Sequence, residues 1–447
     1  MKADFMYAKL FLSLMFLPLS VQAMVNIQRW RTPEGTQVLL VERHENPIVD
    51  VQISFKGAGS AFNPKGKNEV AEFTAALLTG GTRELSEEAF QDKINDLAAE
   101  INSSSGEEGA GITFRSLSEK ATLQPAINLV NQALAQPSFD NAVFERIRKQ
   151  TITGLQQQET DPNFIAGREL TRLNYNGHPY GRIAEASVEN TRLVNLEDIH
   201  AFYLSRYAKD NAIVSVVGDI NRQETEALVK QVLEGLPEKS VVKGNIPAVS
   251  FRPAEQKNID FAGEQAQIMM GMPLIKRHDP DYYALVVGNY ILGGGGFDSR
   301  LMKVLRDRYG YTYGAHSSLS PATEAGPLTI GLATQKNNTA PALEAARKVL
   351  ADFIANGPTQ EELQQAKANI IGSFPLRFDT NAKLLGYLNL IGFHDLPNNY
   401  LEAYPKAVQA VTVEDIKSAW QRRVKMNGIH TVVVGAGKEV LPAKKGQ

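Results

Sequence analysis

The sequence contains no cysteine in its 447 residues. This absence excludes disulfide bonds, thiolate zinc sites, a cysteine nucleophile and a lipid attached to cysteine. Positive charge is not in excess either, because 47 Lys and Arg residues stand against 49 Asp and Glu residues, a formal net charge of −2. Proteins that bind nucleic acid usually carry a basic face. We therefore expect no nucleic-acid partner.

Motifs of nucleotide and serine-hydrolase chemistry are also missing. No Gly-x-Ser-x-Gly elbow occurs, and the segment Gly66-Lys67-Asn68 lacks the Ser or Thr of a phosphate-binding loop. The glycine run at 293–296 does not extend to a dinucleotide fingerprint, because Asp298 stands where the third glycine is needed. These absences argue against nucleotide chemistry.

The histidines are few and widely spaced, and no two of them lie three, four or five residues apart. They are His44, His178, His200, His278, His316, His394 and His430. No helix therefore presents two imidazoles on one face, as a helical zinc site requires. A zinc site assembled from distant His and Glu residues stays open, although a lone histidine is more often a hydrogen-bonded structural residue.

The N-terminus has the pattern of an export signal. Lys2 and Lys9 precede or flank an apolar run at 10–19, and Val21-Gln22-Ala23 is typical of a cleavage site with small residues. The run is shorter than the roughly 20 residues that span a bilayer. We predict a signal peptide over residues 1–23, cleaved near Ala23, and a periplasmic protein without a membrane span after cleavage. The alternative is a buried N-terminal helix.

The chain contains an internal repeat. The segment VNLEDI at 194–199 matches VTVEDI at 411–416, 217 residues later, and the glycines at 80 and 81 match those at 293 and 294, 213 residues later. Two collinear matches at nearly one offset indicate two homologous halves. We predict a first domain over 24–236, a proline-containing linker over 237–257, and a second domain over 258–447.

Within the first half, strand and helix periodicities alternate. Segments 38–41, 49–55 and 212–217 are typical of strands, and the second of these shows period-two alternation. Segments 69–78 and 86–99 have helical spacing, with Ser86 as a plausible N-cap. The pattern predicts an α+β fold in which each half is a sheet with helices packed on one face.

The segment 59–82 resembles the first helix of the pitrilysin/insulinase family of zinc peptidases, which carry the inverted motif His-x-x-Glu-His there. The resemblance implies two sheet-plus-helix halves arranged as a clamshell. Its register, fixed by Ala71 and by Gly81-Thr82, places Glu72 and Ala76 at the two motif ligands and Ala75 at the general base. The family's third ligand precedes an acidic turn similar to the one at 159–162, which places Gly154 at that position.

This resemblance implies a chain without its own catalytic metal. Ala76 and Gly154 offer no lone pair, one carboxylate does not hold zinc, and Ala75 cannot accept a proton from water. We expect no zinc or other cofactor in this chain and no peptide hydrolysis by the chain alone. A displaced metal site is an alternative that requires zinc to copurify with the protein.

The segment 292–313 in the second half resembles the part of the family that supplies an Arg and a Tyr, seven residues apart, to the active chamber. Arg306 and Tyr313 have this spacing. Both side chains donate hydrogen bonds suited to a peptide carbonyl or its oxyanion. Alternatively, Arg306 forms a surface ion pair with Asp307 or a neighbour, and Tyr313 is a half-buried strand residue.

Glycines precede this pair at 293, 294, 295 and 296. Four consecutive glycines leave backbone free to approach a substrate or the other half, although they are also compatible with a plain helix terminator. We expect Gly293, Gly294, Gly295 and Gly296 to form a substrate loop.

The resemblance implies that this chain functions together with a second chain. One branch of the family pairs a chain that carries the zinc motif with a chain that carries the Arg/Tyr pair. We predict that this chain is the second kind, a non-catalytic partner subunit whose zinc-bearing His-x-x-Glu-His partner hydrolyses peptides or unfolded polypeptides. The alternative function is a non-enzymatic scaffold or binding protein of the cell envelope.

Overall fold

The computed structural model describes residues 25–435, so the predicted signal peptide lies outside the described residues. The first half contains six strands and eight α-helices within this range. They are β1 (Gln28–Arg31), β2 (Gln37–Glu42), β3 (Ile48–Lys56), α1 (Val70–Leu78), α2 (Glu87–Asp96), β4 (Glu100–Ser105), β5 (Gly109–Leu117), α3 (Lys120–Ala135), α4 (Asn141–Gln158), α5 (Pro162–Tyr175), α6 (Val188–Leu193), α7 (Leu196–Arg206), β6 (Ala212–Gly218) and α8 (Arg222–Val232).

The second half begins with a strand inside the last residues of the predicted linker. Its elements are β7 (Gln256–Ile259), β8 (Gln265–Ile275), α9 (Tyr282–Asn289), α10 (Arg300–Met302), β9 (Ala315–Leu319), β10 (Gly326–Gln335), α11 (Thr339–Asn356), α12 (Gln360–Ser373), α13 (Asn381–Phe393), α14 (Tyr400–Ala410), α15 (Val413–Arg423) and β11 (His430–Val434). Two π-helical segments, Tyr290–Gly294 and Lys303–Arg308, follow α9 and α10. No helix within residues 25–435 is both long enough and apolar enough to cross a membrane.

The two sheets repeat one topology. The first has the strand order β1-β2-β6-β3-β5-β4, and the second has the order β7-β11-β8-β10-β9. In the first sheet β6 lies parallel to β2 and antiparallel to β3. In the second, β11 lies parallel to β7 and antiparallel to β8. The α+β class and the internal duplication predicted from the sequence are confirmed.

The repeated sequence at 194–199 and 411–416 forms the same helix start twice. Asn195 Oδ1 accepts a hydrogen bond from the Asp198 backbone N–H, and the Asp198 carboxylate accepts one from the Asn195 backbone N–H, both at 3.0 Å. Thr412 and Asp415 do the same at 3.1 and 2.8 Å. Each pair satisfies backbone donors that the first turn of a helix leaves unpaired. The repeat therefore preserves the capping boxes of α7 and α15.

Helices cover both faces of the first sheet: the helices of the first half pack on one face, as predicted, and α13 of the second half packs on the other. Strands β2 and β6 are buried along nearly their whole length. Their alternate residues belong to two different clusters, one with the helices of the first half and one with α13 of the second half. Apolar residues on both faces of a central strand need a layer on each side. Helix α13 supplies the second layer.

The second sheet receives a helix from the first half in return. Ile165 and Leu170 of α5 pack on Val432 and Val434 of β11. A part-buried salt bridge supports this contact, because Lys257 Nζ lies 2.6 Å from Glu169 Oε2. Packing therefore crosses the predicted linker in both directions, and each half completes the core of the other.

Candidate functional site

The predicted metal helix α1 lies beside the edge strand β4. Asn63 caps this helix by accepting a hydrogen bond from the Ala71 N–H at 2.7 Å, and its amide donates to Glu72 Oε2 at 3.1 Å. Burial raises the pKa of Glu72. Burial, together with repulsion from Glu72, raises the pKa of Glu69 to about 7. The carboxyl at the first predicted ligand position is therefore part of a buried carboxyl and amide cluster.

The other predicted metal positions lie on the same pair of packed helices, α1 and α4. Ala75 is 1% exposed. Gly154 lies in the interior of α4, and a Cβ built there meets no atom within 4 Å. Zinc takes three or four nitrogen, oxygen or sulfur ligands, whereas Ala75, Ala76 and Gly154 have no donor atom in their side chains. The residues at these positions do not fit a zinc ion.

A wider search gives no other metal-binding cluster. Within residues 25–435, no group of three or more His, Asp or Glu side chains is arranged to hold a metal ion. His178, for example, bonds the Pro247 carbonyl at 2.8 Å, and His44 bonds Asp219 at 2.7 Å. These two histidines therefore have structural partners.

The glycine run at 293–296 begins in the first π-helical segment, Tyr290–Gly294, and precedes the second, Lys303–Arg308. Such segments frequently mark functional sites in proteins. A Cβ on Gly293 would lie 2.5 Å from the Ser317 nitrogen of β9, and one on Gly295 would lie 2.8 Å from the Tyr290 ring. Gly296 adopts a φ of 66° with open space around it, and Gly294 is exposed. Packing inside the second half thus explains Gly293 and Gly295. Gly294 and Gly296 are the two glycines of this run that are exposed to solvent.

Arg306 lies in the second π-helical segment and is half-buried. Its guanidinium carbon is 4.7 Å from the centre of the Phe297 ring, a cation–π contact. Within residues 25–435 the guanidinium forms no ion pair or hydrogen bond, so the alternative of an ion pair with Asp307 does not occur. Phe297 therefore holds one face of Arg306 while its N–H groups stay available.

Tyr313 is 89% exposed and precedes β9 instead of lying in it. The turn around it is fixed by Thr312, whose hydroxyl donates to the Gly314 carbonyl at 2.8 Å and accepts from the Gly314 N–H at 3.1 Å. The alternative of a half-buried strand residue therefore does not hold. We call Phe297, Arg306 and Tyr313 the Arg/Tyr surface.

Sequence reasoning missed Phe297, which is 70% exposed although its side chain is large and apolar. It also missed Tyr309, which stacks on Tyr311 with ring centres 5.2 Å apart. A signal was present, since Phe297 stands alone in a run of small residues and tyrosines occur at 309, 311 and 313. Exposed aromatic side chains next to arginine are typical of binding surfaces.

Two hairpins connect the regions of the two predicted sites. At the tip between β4 and β5, Glu108 accepts hydrogen bonds from the Thr323 N–H at 2.9 Å and the Thr323 hydroxyl at 2.6 Å. The Tyr180 hydroxyl also donates to Glu108. Strand β4 adjoins α1, and β9 adjoins the glycine segment. Within residues 25–435 no hydrogen bond or ion pair joins Arg306 or Tyr313 to Glu72, so the two predicted sites are linked only through their neighbours.

Comparison with known proteins identifies the family. Residues 37–187 match the model described as insulinase (peptidase family M16), and residues 194–370 match the model described as peptidase M16 inactive domain. A crystal structure of a peptidase M16 inactive domain from Pseudomonas fluorescens is 33% identical, with a TM-score of 0.88 over 93% of this chain and 99% of that one. The chain belongs to the M16 peptidase family.

Other relatives are named either as a non-peptidase homolog or as uncharacterized zinc proteases. The non-peptidase homolog YmxG of Helicobacter pylori is 26% identical to this M16 chain over 90% of its length and 92% of the relative's. An uncharacterized zinc protease of Mycobacterium leprae is 24% identical over 83% of this chain and 84% of that protein. The missing donors at positions 75, 76 and 154 place this chain with the inactive, non-peptidase members.

Proposed function

We propose that this M16 chain is the non-catalytic partner subunit of a periplasmic zinc peptidase. The partner would be a homologous chain with the His-x-x-Glu-His motif, which holds the zinc. In the shared chamber, Arg306 and Tyr313 bind the carbonyl of a peptide or unfolded polypeptide. The observation that carries the proposal is the Arg306 guanidinium, which has only Phe297 as a partner in the described part of the chain.

The chemistry of the Arg/Tyr surface suits this role. Arginine presents five N–H donors in a rigid, permanently charged fork, and the tyrosine hydroxyl is a neutral donor. Donors held in place before the reaction stabilise the negative charge that develops on a carbonyl oxygen. The Phe297 ring limits the motion of the guanidinium without occupying its N–H groups. A scaffold protein has no chemical need for such an arrangement.

The comparisons support the non-catalytic part of the proposal through the names of two relatives, an M16 inactive domain and a non-peptidase homolog. The periplasmic location depends on the predicted signal peptide at 1–23, which lies outside the described residues. The partner itself is inferred from the incomplete first half. A chain with hydrogen-bond donors for substrate but too few ligands for zinc needs another chain for hydrolysis.

The test is affinity purification of the mature chain from its native periplasm, followed by identification of proteins recovered at equal stoichiometry. We expect a chain of similar length with a His-x-x-Glu-His motif, and peptide hydrolysis only when both chains are mixed. Recovery with an envelope assembly that lacks this motif would instead support the scaffold. Zinc at one atom per isolated chain would contradict both.

A further inference from the structure

A cavity lies between helix α8 and the turn that joins β1 to β2. Its volume is about 470 Å³. Ligand pockets in proteins are typically about 300–1,000 Å³. The lining residues are 30–34 and 36 from β1 and the turn, Lys209, and one face of α8 with its C-terminal end, at 222, 226, 229, 230 and 233. We call this space the α8 cavity.

The strand on one side of the α8 cavity has no counterpart in the second half. Strand β1 lies beyond β2 at the edge of the first sheet. The equivalent of β2 is β7, since β2 lies parallel to β6 and β7 lies parallel to β11. Within residues 25–435, no strand of the second sheet lies beyond β7. The cavity is therefore not a simple product of the repeated topology.

The inner wall of the α8 cavity is apolar. Val229 and Leu233 are only 2% and 3% exposed, whereas Trp30 is half-buried and Pro33 is exposed. The Arg222 guanidinium carbon lies 3.5 Å from the centre of the Trp30 ring, a cation–π contact that holds the ring in place. Covering apolar surface is favourable by about 25 cal/mol per Å². The wall therefore favours a ligand with an apolar body.

The rim of the α8 cavity carries an excess of positive charge. Four of the lining side chains are cationic and two are carboxylates, an excess of two positive charges, although the whole chain has a formal net charge of −2. The cations are Arg31, Lys209, Arg222 and Lys230, and the carboxylates are Glu34 and Glu226. A local positive excess on a slightly acidic chain attracts anions.

Two lysines of this rim are available to a ligand. Glu226 accepts a hydrogen bond from Arg222 Nε at 2.6 Å, so these two side chains pair with each other. Lys209 and Lys230 both interact electrostatically with Glu34. Within residues 25–435, however, neither lysine side chain has a hydrogen bond or an ion pair. One carboxylate thus faces two ammonium groups, and a carboxylate from a ligand would balance the second.

We propose that the α8 cavity binds a small organic carboxylate with an aromatic body. Its carboxylate lies between Lys209 and Lys230, and its ring covers the apolar wall of Trp30 and Val229. A bare anion would leave this wall uncovered, and a neutral hydrocarbon would leave the two ammonium groups without a partner. The site shares no residue with the Arg/Tyr surface and goes beyond the proposed function, because binding here needs no partner chain and no zinc.

Tryptophan fluorescence of the mature chain reports directly on the α8 cavity. The chain has two tryptophans, of which Trp30 lines the cavity, whereas Trp420 is 0% exposed and packs on Phe353. The probe is 3-phenylpropionate, added at low ionic strength because salt screens exposed charges. We expect a saturable change in fluorescence that is absent in Trp30→Phe. The neutral 3-phenylpropionamide and inorganic phosphate should both bind more weakly than the probe.

Charge variants measured by isothermal titration calorimetry test the two lysines. Lys209→Gln and Lys230→Gln should each weaken binding of 3-phenylpropionate up to about fivefold, as expected for an exposed charge pair. The double variant should bind the acid and the amide equally. The matched control is Lys348→Gln on α11, an exposed helical lysine outside the cavity that changes the net charge equally and should bind like wild type.

Three results would overturn the proposal. They are no saturable binding by wild type, equal affinity of wild type for the acid and the amide, and equal affinity of wild type and the double lysine variant for the acid. Phosphate that binds as tightly as 3-phenylpropionate would show a site for a bare anion and would also overturn it. Since no partner chain is present, failure here is distinct from failure of the Arg306 and Tyr313 role.

Discussion

Helices α1 and α9 occupy equivalent places in the two halves, yet they lead to different structures. Helix α1 ends at Leu78, whereas α9 continues as a π-helix through Gly294 and leads to the Arg/Tyr surface. The strand order and the capping boxes around them are the same in both halves. The duplication has thus preserved what folds each half, and the halves have diverged where a site would be built.

The acidic residues that begin these helices show the same contrast. Asp281 precedes α9 and pairs with Arg422 at 2.6 Å and with Arg423 at 3.4 Å. Glu69 precedes α1 with a φ of 76° and has no ion pair within residues 25–435. The first half therefore has a part-buried carboxyl without an ion-pair partner, three residues before the predicted metal-site position Glu72.

The largest expected effect concerns the Arg/Tyr surface. In a reconstituted pair with a His-x-x-Glu-His chain, Arg306→Ala should lower kcat/KM about 100-fold, because one preorganised donor to an oxyanion contributes on that order. Tyr313→Phe should lower it by about tenfold or more for the same reason. Both variants should still form the pair, which size-exclusion chromatography would show.

A nearby arginine is the matched control for this change. Arg308 lies in the same π-helical segment, but its guanidinium is over Tyr309. Arg308→Ala should leave the rate near that of wild type. Equal activity of Arg306→Ala and wild type would remove the distinction between the two halves on which the proposed function depends.

The next effect concerns the contact that holds the halves together. Glu108→Ala removes the acceptor for Thr323 and for the buried Tyr180 hydroxyl, so the free energy of unfolding should fall by about 2–3 kcal/mol. Its neighbour Glu107 is an instructive control, because burial raises the pKa of Glu107 to about 7. Glu107→Gln should not destabilise the chain at pH 8. Urea unfolding followed by circular dichroism measures the stability of both variants. Equal unfolding midpoints for Glu108→Ala and wild type would contradict the role of Glu108.

The two helix starts should respond in opposite directions to removal of their carboxylate charge. Because the pKa of Glu69 in the folded chain, about 7, lies above its unfolded value, its stabilising contribution is present below the unfolded pKa and is lost as pH rises through 7. Glu69→Gln should therefore raise stability at pH 8 by about 1–2 kcal/mol and much less at pH 4.5. Asp281→Asn should lower stability at pH 8. Melting temperatures at both pH values test this, and a pH-independent effect of Glu69→Gln would refute it.

The capping boxes should show where the halves remain equal. Asn195→Ala and Thr412→Ala each remove the side-chain cap of a repeated helix, and each should cost about 1 kcal/mol. Urea unfolding of the two single variants gives the comparison. A cost confined to one variant would indicate that the repeated motif supports folding in only one half.

The sequence was sufficient for the features that depend on local pattern. Period-two alternation predicted β3, Ser86 was correctly taken as the cap of α2, and the repeat predicted two equivalent sheets. Helix α2 ends at Asp96, earlier than the predicted end at residue 99, because the chain turns there to enter β4 at Glu100. The local sequence pattern therefore predicts which helices and strands form better than it predicts the residues at which they end.

Features that depend on distant contacts were not predictable. Leu384, Leu388 and Ile391 mark one apolar face of α13, but nothing in their spacing says that this face covers the sheet of the other half. Likewise, the spacing of Arg306 and Tyr313 does not indicate the Phe297 contact, because it joins residues through a π-helical turn. The packing of α13 on the first sheet, the packing of α5 on the second sheet and the orientation of Arg306 all depend on the assembled fold.

The smallest expected effect concerns Gly154, at the position of the family's third metal ligand, and tests whether that position has a role in this chain. Gly154 lies inside α4 with open space at its Cβ, so Gly154→Ala should raise the free energy of unfolding by about 0.5–1 kcal/mol, as alanine is the better helix former. In α9, Gly288→Ala should destabilise, because its Cβ would lie 2.1 Å from Trp420 Nε1. Thermal unfolding distinguishes the two. If Gly154→Ala instead lowered stability or slowed the reconstituted pair, position 154 would retain a role, and the first half would be more than a scaffold for the second.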